Sequence, residues 1–165
     1  MRFRYVGPSP DAKPLASGEI RRQIGLKLHA EDQCNLLYVM WRIEPKAELV
    51  VSIKRNPGQN THEECGARGY TNIKPQRSVK LAPMMPGESH TLRTELSGSN
   101  LSVYADSSPA WQGSLGAALD GLDGPLGLRT DNARFELEYY IRPPSPGIAS
   151  TPFDEKARCE RSAED

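Results

Sequence analysis

Hydrophobic and polar residues alternate with a period of two along most of this chain, and the clearest stretch runs from His90 to Tyr139. HTLRTEL sets His90, Leu92, Thr94 and Leu96 on one face and Thr91, Arg93 and Glu95 on the other. Ser-Gly-Ser-Asn then turns the chain into LSVYAD, which predicts a hairpin. After Trp111-Gln-Gly and the connector GLDGPLGLRTDN, the segment ARFELEYYI puts Phe135, Leu137, Tyr139 and Ile141 opposite Arg134, Glu136, Glu138 and Tyr140. Three strands are predicted here. Upstream, Ile24, Leu26 and Leu28 are in phase within EIRRQIGLKLHA, and Leu49, Val51 and Ile53 within ELVVSIKRNPG. Between them, CNLLYVMWRIEP is apolar on both faces from Leu36 to Trp41. That marks a strand central in its sheet, whose second face is covered or lines a groove. Glu44-Pro-Lys-Ala-Glu joins this strand to the next as a hairpin. No segment carries a 3.6-residue apolar stripe, and GSLGAALDGL makes at most one or two helical turns. The pattern predicts an all-β fold, an antiparallel β-sandwich.

The 165 residues, 37% of them hydrophobic, suit one domain with one sandwich core, and 14 Gly and 14 Pro supply the turns. Pro8, Pro10 and Pro14 make residues 1–17 an N-terminal arm or a single edge strand. The domain proper is read as 18–142. The prolines of RPPSPG end its last strand and open a Pro-rich, charged tail at 143–165. Lys plus Arg and Asp plus Glu stand at 21 each, so no net field draws the chain to phosphate backbones, and nucleic acid is not an expected partner. The longest apolar run, Leu36 to Trp41, is far short of the roughly 20 residues a membrane helix needs. The chain is therefore read as soluble. Its first residues lack the apolar core of a secretory signal peptide.

Strand phase picks out a candidate binding face. With Leu49, Val51 and Ile53 inward, Ser52, Lys54 and Asn56 face outward. With Leu37, Val39 and Trp41 inward, Tyr38, Met40 and Arg42 do so on the neighbouring strand. An aromatic ring, two cations and an amide on one face suit a sugar or an anionic glycan, since the ring covers apolar CH groups while Arg, Lys and Asn donate to oxygens. Arg42 and Lys54 are expected side by side, where two cations repel unless an acid or an anionic ligand lies between them. Arg55, Arg68 and Tyr70, in the loops NPGQN and CGARGY, extend the groove. The plain alternative makes Arg42 and Lys54 solvated side chains and Tyr38 a packing residue, and a one-residue slip presents Trp41 in place of Arg42.

Catalytic and metal chemistry have fewer footholds. Glu136 and Glu138 share a strand face at a spacing of roughly 6.5–7 Å, compatible with a glycosidase pair, although glutamates on the polar side of a strand are ordinarily solvated. Glu63-Glu64 in a loop are a weaker pair. Cys34 and Cys65 read as a disulfide closing a long loop, which goes with an oxidising, extracytoplasmic compartment. Two free thiols, or a metal site completed by His62, are the alternatives. Cys159 is left over.

HTLRTELSGSNLSVYADSSPAWQGSL followed by GPLGLRTDNARFELEYY resembles the closing half of a concanavalin A-like lectin/glucanase jelly roll, as in laminin-G-like domains. GLKLHAEDQCNLLYVMWRI and ELVVSIKRNPG correspond to its middle strands. The resemblance spans about residues 19–142 and rests on the cadence from Leu101 through Trp111 to Phe135. Ser107-Ser108-Pro109 departs from the Asp-Gly-type turn usual there. The likeness implies a fold and carries little about activity; together with the candidate face, the chain is read as a non-enzymatic carbohydrate-binding or adhesion module, with a glycoside hydrolase or a purely structural domain as the alternatives. The likeness also raises calcium at the rim, for which Asp131, Asn132 and the Asp120 to Asp123 loop are the oxygen donors.

Overall fold

Alternation of apolar residues resolves into two antiparallel sheets packed face to face. The computed structural model describes residues 1–141 and the backbone of Glu155–Lys156. In chain order the strands are β1 (Arg2–Pro8), β2 (Arg22–Leu28), β3 (Leu36–Glu44), β4 (Glu48–Lys54), β5 (Tyr70–Asn72), β6 (Arg77–Ser78), β7 (Ser89–Ser97), β8 (Asn100–Ala105), β9 (Ser108–Ser114), β10 (Gly127–Asp131) and β11 (Ala133–Glu138). A pair β12 (Tyr140–Ile141) and β13 (Glu155–Lys156) stands apart. One helical turn, α1 (His62–Cys65), follows β4, and a 3-10 turn spans Gly116–Leu119. The six-stranded sheet runs β11-β1-β7-β8-β9-β6 and the five-stranded sheet β10-β2-β3-β4-β5.

The core lies between the sheets. Phe3 and Tyr5 of β1, Leu92 of β7, Leu101 and Val103 of β8, and Trp111 of β9 meet Ile24 and Leu26 of β2, Leu37, Val39 and Trp41 of β3, and Val51 and Ile53 of β4. Most are under 3% exposed, and burial of each large apolar side chain contributes about 1.5–3 kcal/mol. Phe3 meets the Trp41 ring edge-on at 5.8 Å and Phe135 at 5.7 Å, joining the two sheets through aromatic contacts.

The expected inward phases of β2 and β3 hold: Ile24, Leu26 and Leu28, then Leu37, Val39 and Trp41, are in the core, and Trp41 is not displaced to the outer face. Three expectations are corrected. Residues 1–17 do not form an arm or an edge strand, because β1 pairs with β11 on one side and β7 on the other, making it internal. Between β8 and β11 lie two strands that alternation missed. In β9, Pro109 and Gly113 interrupt the pattern while Ala110, Trp111 and Gly113 turn inward. In β10, GLRTD is an edge strand and is only partly buried throughout most of its length. The last inward face ends at Tyr139, Ile141 being exposed. The tail at 143–165 lies outside the described residues apart from the backbone of Glu155–Lys156.

Candidate functional site

The outer face of the five-stranded sheet is where β3 shows its second apolar side. Leu36, Tyr38 and Met40 form a separate buried cluster there, each 5% exposed or less. Register places the side chains in rows across this face. Gly127, Lys27, Tyr38, Ser52 and Asn72 make one row, Arg129, Gly25, Met40 and Val50 the next, and Asp131, Gln23, Arg42 and Glu48 a third. Gly25 lets β3 approach closely: a Cβ there would lie 2.6 Å from Met40 Sδ and 2.2 Å from Val39 O.

A cavity of about 390 Å³ opens on these rows, within the usual range for ligand sites. Met40, Tyr38, Val50 and Ser52 floor it. Leu15 to Ser17 and Arg21 form one wall, and His62, Gly66, Ala67 and Tyr70 form the other. Arg21, Arg42 and Arg129 line it, and no carboxylate does.

Each wall has a local cause. The Cys34–Cys65 disulfide, with Cα atoms 5.9 Å apart, ties α1 to the start of β3. Glu64 closes the turn by accepting from the backbone N–H of Asn60 at 2.8 Å and of Thr61 at 2.9 Å, bonds that hold its carboxyl below the ordinary range. The opposite wall is a turn in which Leu15 N donates to Glu19 O at 3.0 Å, and Arg21 Nε reaches the Glu19 carboxylate at 2.6 Å. Tyr70 stacks on Tyr38 with ring centroids 5.9 Å apart, and the Arg129 guanidinium lies 5.0 Å from the Tyr38 centroid. Burial raises the Tyr38 phenol well above its ordinary value, Tyr70 adding to the effect. Burial also works to lower Arg129, but the Asp131 carboxylate, 2.9 Å from its Nε, outweighs it and holds the guanidinium firmly charged. Burial lowers Arg42, and repulsion from Arg21 adds to that, while Glu48 opposes both.

Of the residues picked out from sequence, Tyr38, Arg42 and Tyr70 line this cavity. Arg42 and Lys54 share the face but are not side by side: Arg42 pairs with Glu48 and Lys54 with Leu36, about 20 Å apart on strand spacing. Lys54 is 1% exposed, donates to Gln33 O at 3.1 Å and lies 5.2 Å from the Tyr70 centroid, so it is a buried cation and not a groove donor. Asn56 stitches loops together, donating to Cys34 O at 3.2 Å and Arg68 O at 3.0 Å. Arg68 closes α1 through Cys65 O at 3.3 Å and Glu64 O. Arg55 turns away to the carbonyls of Ala118 and Asp120.

Glu136 and Glu138 stand on β11, in the other sheet. Both Glu136 oxygens accept from Arg4, at 2.7 and 3.0 Å, and Glu138 accepts from the Tyr140 hydroxyl at 2.7 Å. Asp131 is engaged by Arg129 and Gln23. Asn132, in a left-handed turn conformation, exchanges hydrogen bonds with the backbone of Lys13 and also donates to Arg21 O. These two residues are built into the β10–β11 turn. Among the described residues no group of three or more His, Cys, Asp or Glu comes together to hold a metal. Cys159 lies outside the described residues.

Gln23 and Arg129 belong to the site and were not singled out from sequence. Gln23 was readable as an outward position of β2, alternating with Ile24; Arg129 required seeing β10. Comparison of the chain with protein-family models, curated proteins and solved structures finds no match.

Proposed function

We propose that this β-sandwich is a non-enzymatic carbohydrate-binding module whose groove lies on the outer face of β2, β3, β4, β5 and β10. The observation that carries the reading is the pairing of an exposed ring with a wall of donors. Tyr70, 40% exposed, stacks on buried Tyr38, and Arg21, Arg42, Arg129, Ser52 and Asn72 line the same 390 Å³ space. A ring that covers CH groups beside donors that reach hydroxyls is the chemistry of sugar recognition. A lining without carboxylates weighs against glycoside hydrolysis, which needs two acids across the scissile bond.

A glycan array read with and without calcium tests this. The expected result is binding that survives a chelator, because the oxygens of Asp131 and Asn132 are already taken by N–H donors. Tyr70→Ala is expected to weaken that binding by about tenfold, through loss of the ring that covers the sugar's CH groups. An array with no positive glycan, or binding indifferent to Tyr70, overturns the reading.

A further inference from the structure

The row Asp131, Gln23, Arg42, Glu48 is closed at its ends and open in its middle. Gln23 Nε2 donates to Asp131 Oδ2 at 2.5 Å, and Arg42 Nη1 donates to Glu48 Oε1 at 3.0 Å. Gln23 Oε1 and Arg42 Nε are both buried and neither has a hydrogen-bond partner. Gln23 is 4% exposed, both residues line the cavity, and they are direct register partners across β2 and β3. A buried polar atom without a partner is costly, and these two belong to neighbouring residues across β2 and β3 that both line the cavity.

The two atoms require opposite chemistry. Gln23 Oε1 only accepts and Arg42 Nε only donates. With Nη1 held by Glu48, the guanidinium edge that contains Nε is one that takes a carboxylate through two parallel bonds. Arg21 stands close enough to repel Arg42, an unfavourable pairing that an anion between them reverses. The acids that balance the three arginines, Glu19, Glu48 and Asp131, do not line the cavity, so the space itself meets donors.

We infer that the Gln23–Arg42 end of the groove is an acid subsite, which seats a carboxylate on Arg42 while a hydroxyl adjacent to that carboxylate donates to Gln23 Oε1. The ligand class is a hydroxy-carboxylate. Free 2-hydroxy acids carry that hydroxyl on the carbon next to the carboxylate; in the uronic acid residues of acidic glycans that carbon carries the ring oxygen, and the hydroxyl on C4, one carbon further out, is the donor. The inference rests on the proposed groove and deepens it: a neutral sugar satisfies the aromatic end alone, a uronate both ends.

NMR titration of the full chain with glucuronate, glucose, lactate and propionate at matched ionic strength tests it. Glucuronate is expected to bind at least about tenfold more tightly than glucose, and lactate than propionate. Shifts should centre on the side-chain signals of Gln23 and Arg42. Arg42→Gln should erase the preference for acids. Gln23→Leu should erase the lactate preference and keep the preference for an acid over glucose. Should either variant fail to fold, the four ligands on the wild-type chain still decide the matter. If glucuronate matches glucose and lactate matches propionate, the subsite is wrong even where neutral glycans bind the array. If no glycan binds the array but lactate is preferred, the carbohydrate reading falls and the subsite stands as a site for a free hydroxy acid.

Discussion

The outer faces of the two sheets carry the same kinds of residue and differ in whether those residues satisfy one another. On the six-stranded sheet, Arg4 and Glu136 are 45% and 64% exposed and form a two-bond pair. Arg93 pairs with Glu95 and lies 3.8 Å from the Tyr104 ring centroid, and Tyr104 donates to Glu95 at 2.9 Å. On the five-stranded sheet, arginine, glutamine and tyrosine are folded under two walls, and Gln23 Oε1 and Arg42 Nε are left open. Composition alone therefore does not distinguish surface from site. What distinguishes these two outer faces is hydrogen-bonding capacity removed from water beside a cavity and not used within the chain.

The largest test of this contrast is to remove what holds a wall. Replacing Cys34 and Cys65 by serine opens a loop of 31-residue separation, and the chain-entropy model assigns such a closure about 3–4 kcal/mol of stability. Denaturant titration should show that loss. Amide exchange in β7 and β8 should rise only by the fall in global stability, while α1 and β5 should lose protection first and exchange through local opening; identical behaviour of all four would show that the wall is not a separate unit.

Next is the close approach of β3 to Gly25. Gly25→Val should cost about 2–3 kcal/mol, because its Cβ would collide with Val39 O and Met40 Sδ. A wild-type midpoint would mean that the groove floor gives way freely.

A smaller effect is expected at Lys54, where burial lowers the ammonium pKa. Between that lowered value and 10.5 the unfolded chain binds more protons than the folded one, so this group makes stability rise with pH across that window. Below it the burial cost is present in full. Lys54→Met should gain up to about 1 kcal/mol at pH 7 and remove the alkaline rise. A loss at pH 7 with the rise intact would show that the buried ammonium is not the cost.

Smallest is the solvated face. Arg93→Gln should move stability by less than about 0.5 kcal/mol, since its partner is also exposed, and should leave ligand binding untouched. An altered glucuronate titration would place a second binding surface there and dissolve the contrast.

The phase of β3 was legible because a strand apolar on both faces has only two ways to sit, and Ile24 and Val51 on its neighbours select one. The separation of Arg42 from Lys54 was also available. A hairpin turning at Pro45–Ala47 sets Arg42 against Glu48, which sends Lys54 to Leu36 at the far end. The open row was not legible, because it joins β2 to β10, an edge strand whose short, glycine-started sequence GLRTD shows no alternation. Nor does sequence reveal which polar atoms of a side chain remain unpaired, since that depends on partners more than a hundred residues away, as Asp131 is from Gln23.

The internal position of β1 has a consequence for how the chain is made. Arg2 pairs with Glu138 and Pro8 with Ala133, so the first strand of the sandwich to be synthesised takes one neighbour from the last strand of the sandwich. The groove sheet waits almost as long, for β10 at Gly127–Asp131. Neither sheet closes during most of synthesis, and contacts this far apart in sequence form slowly. The same adjacency brings Arg2 beside Glu138, so a covalent link at those two positions should tie the first and last strands of the sandwich together and leave the groove sheet, which contains neither strand, unchanged.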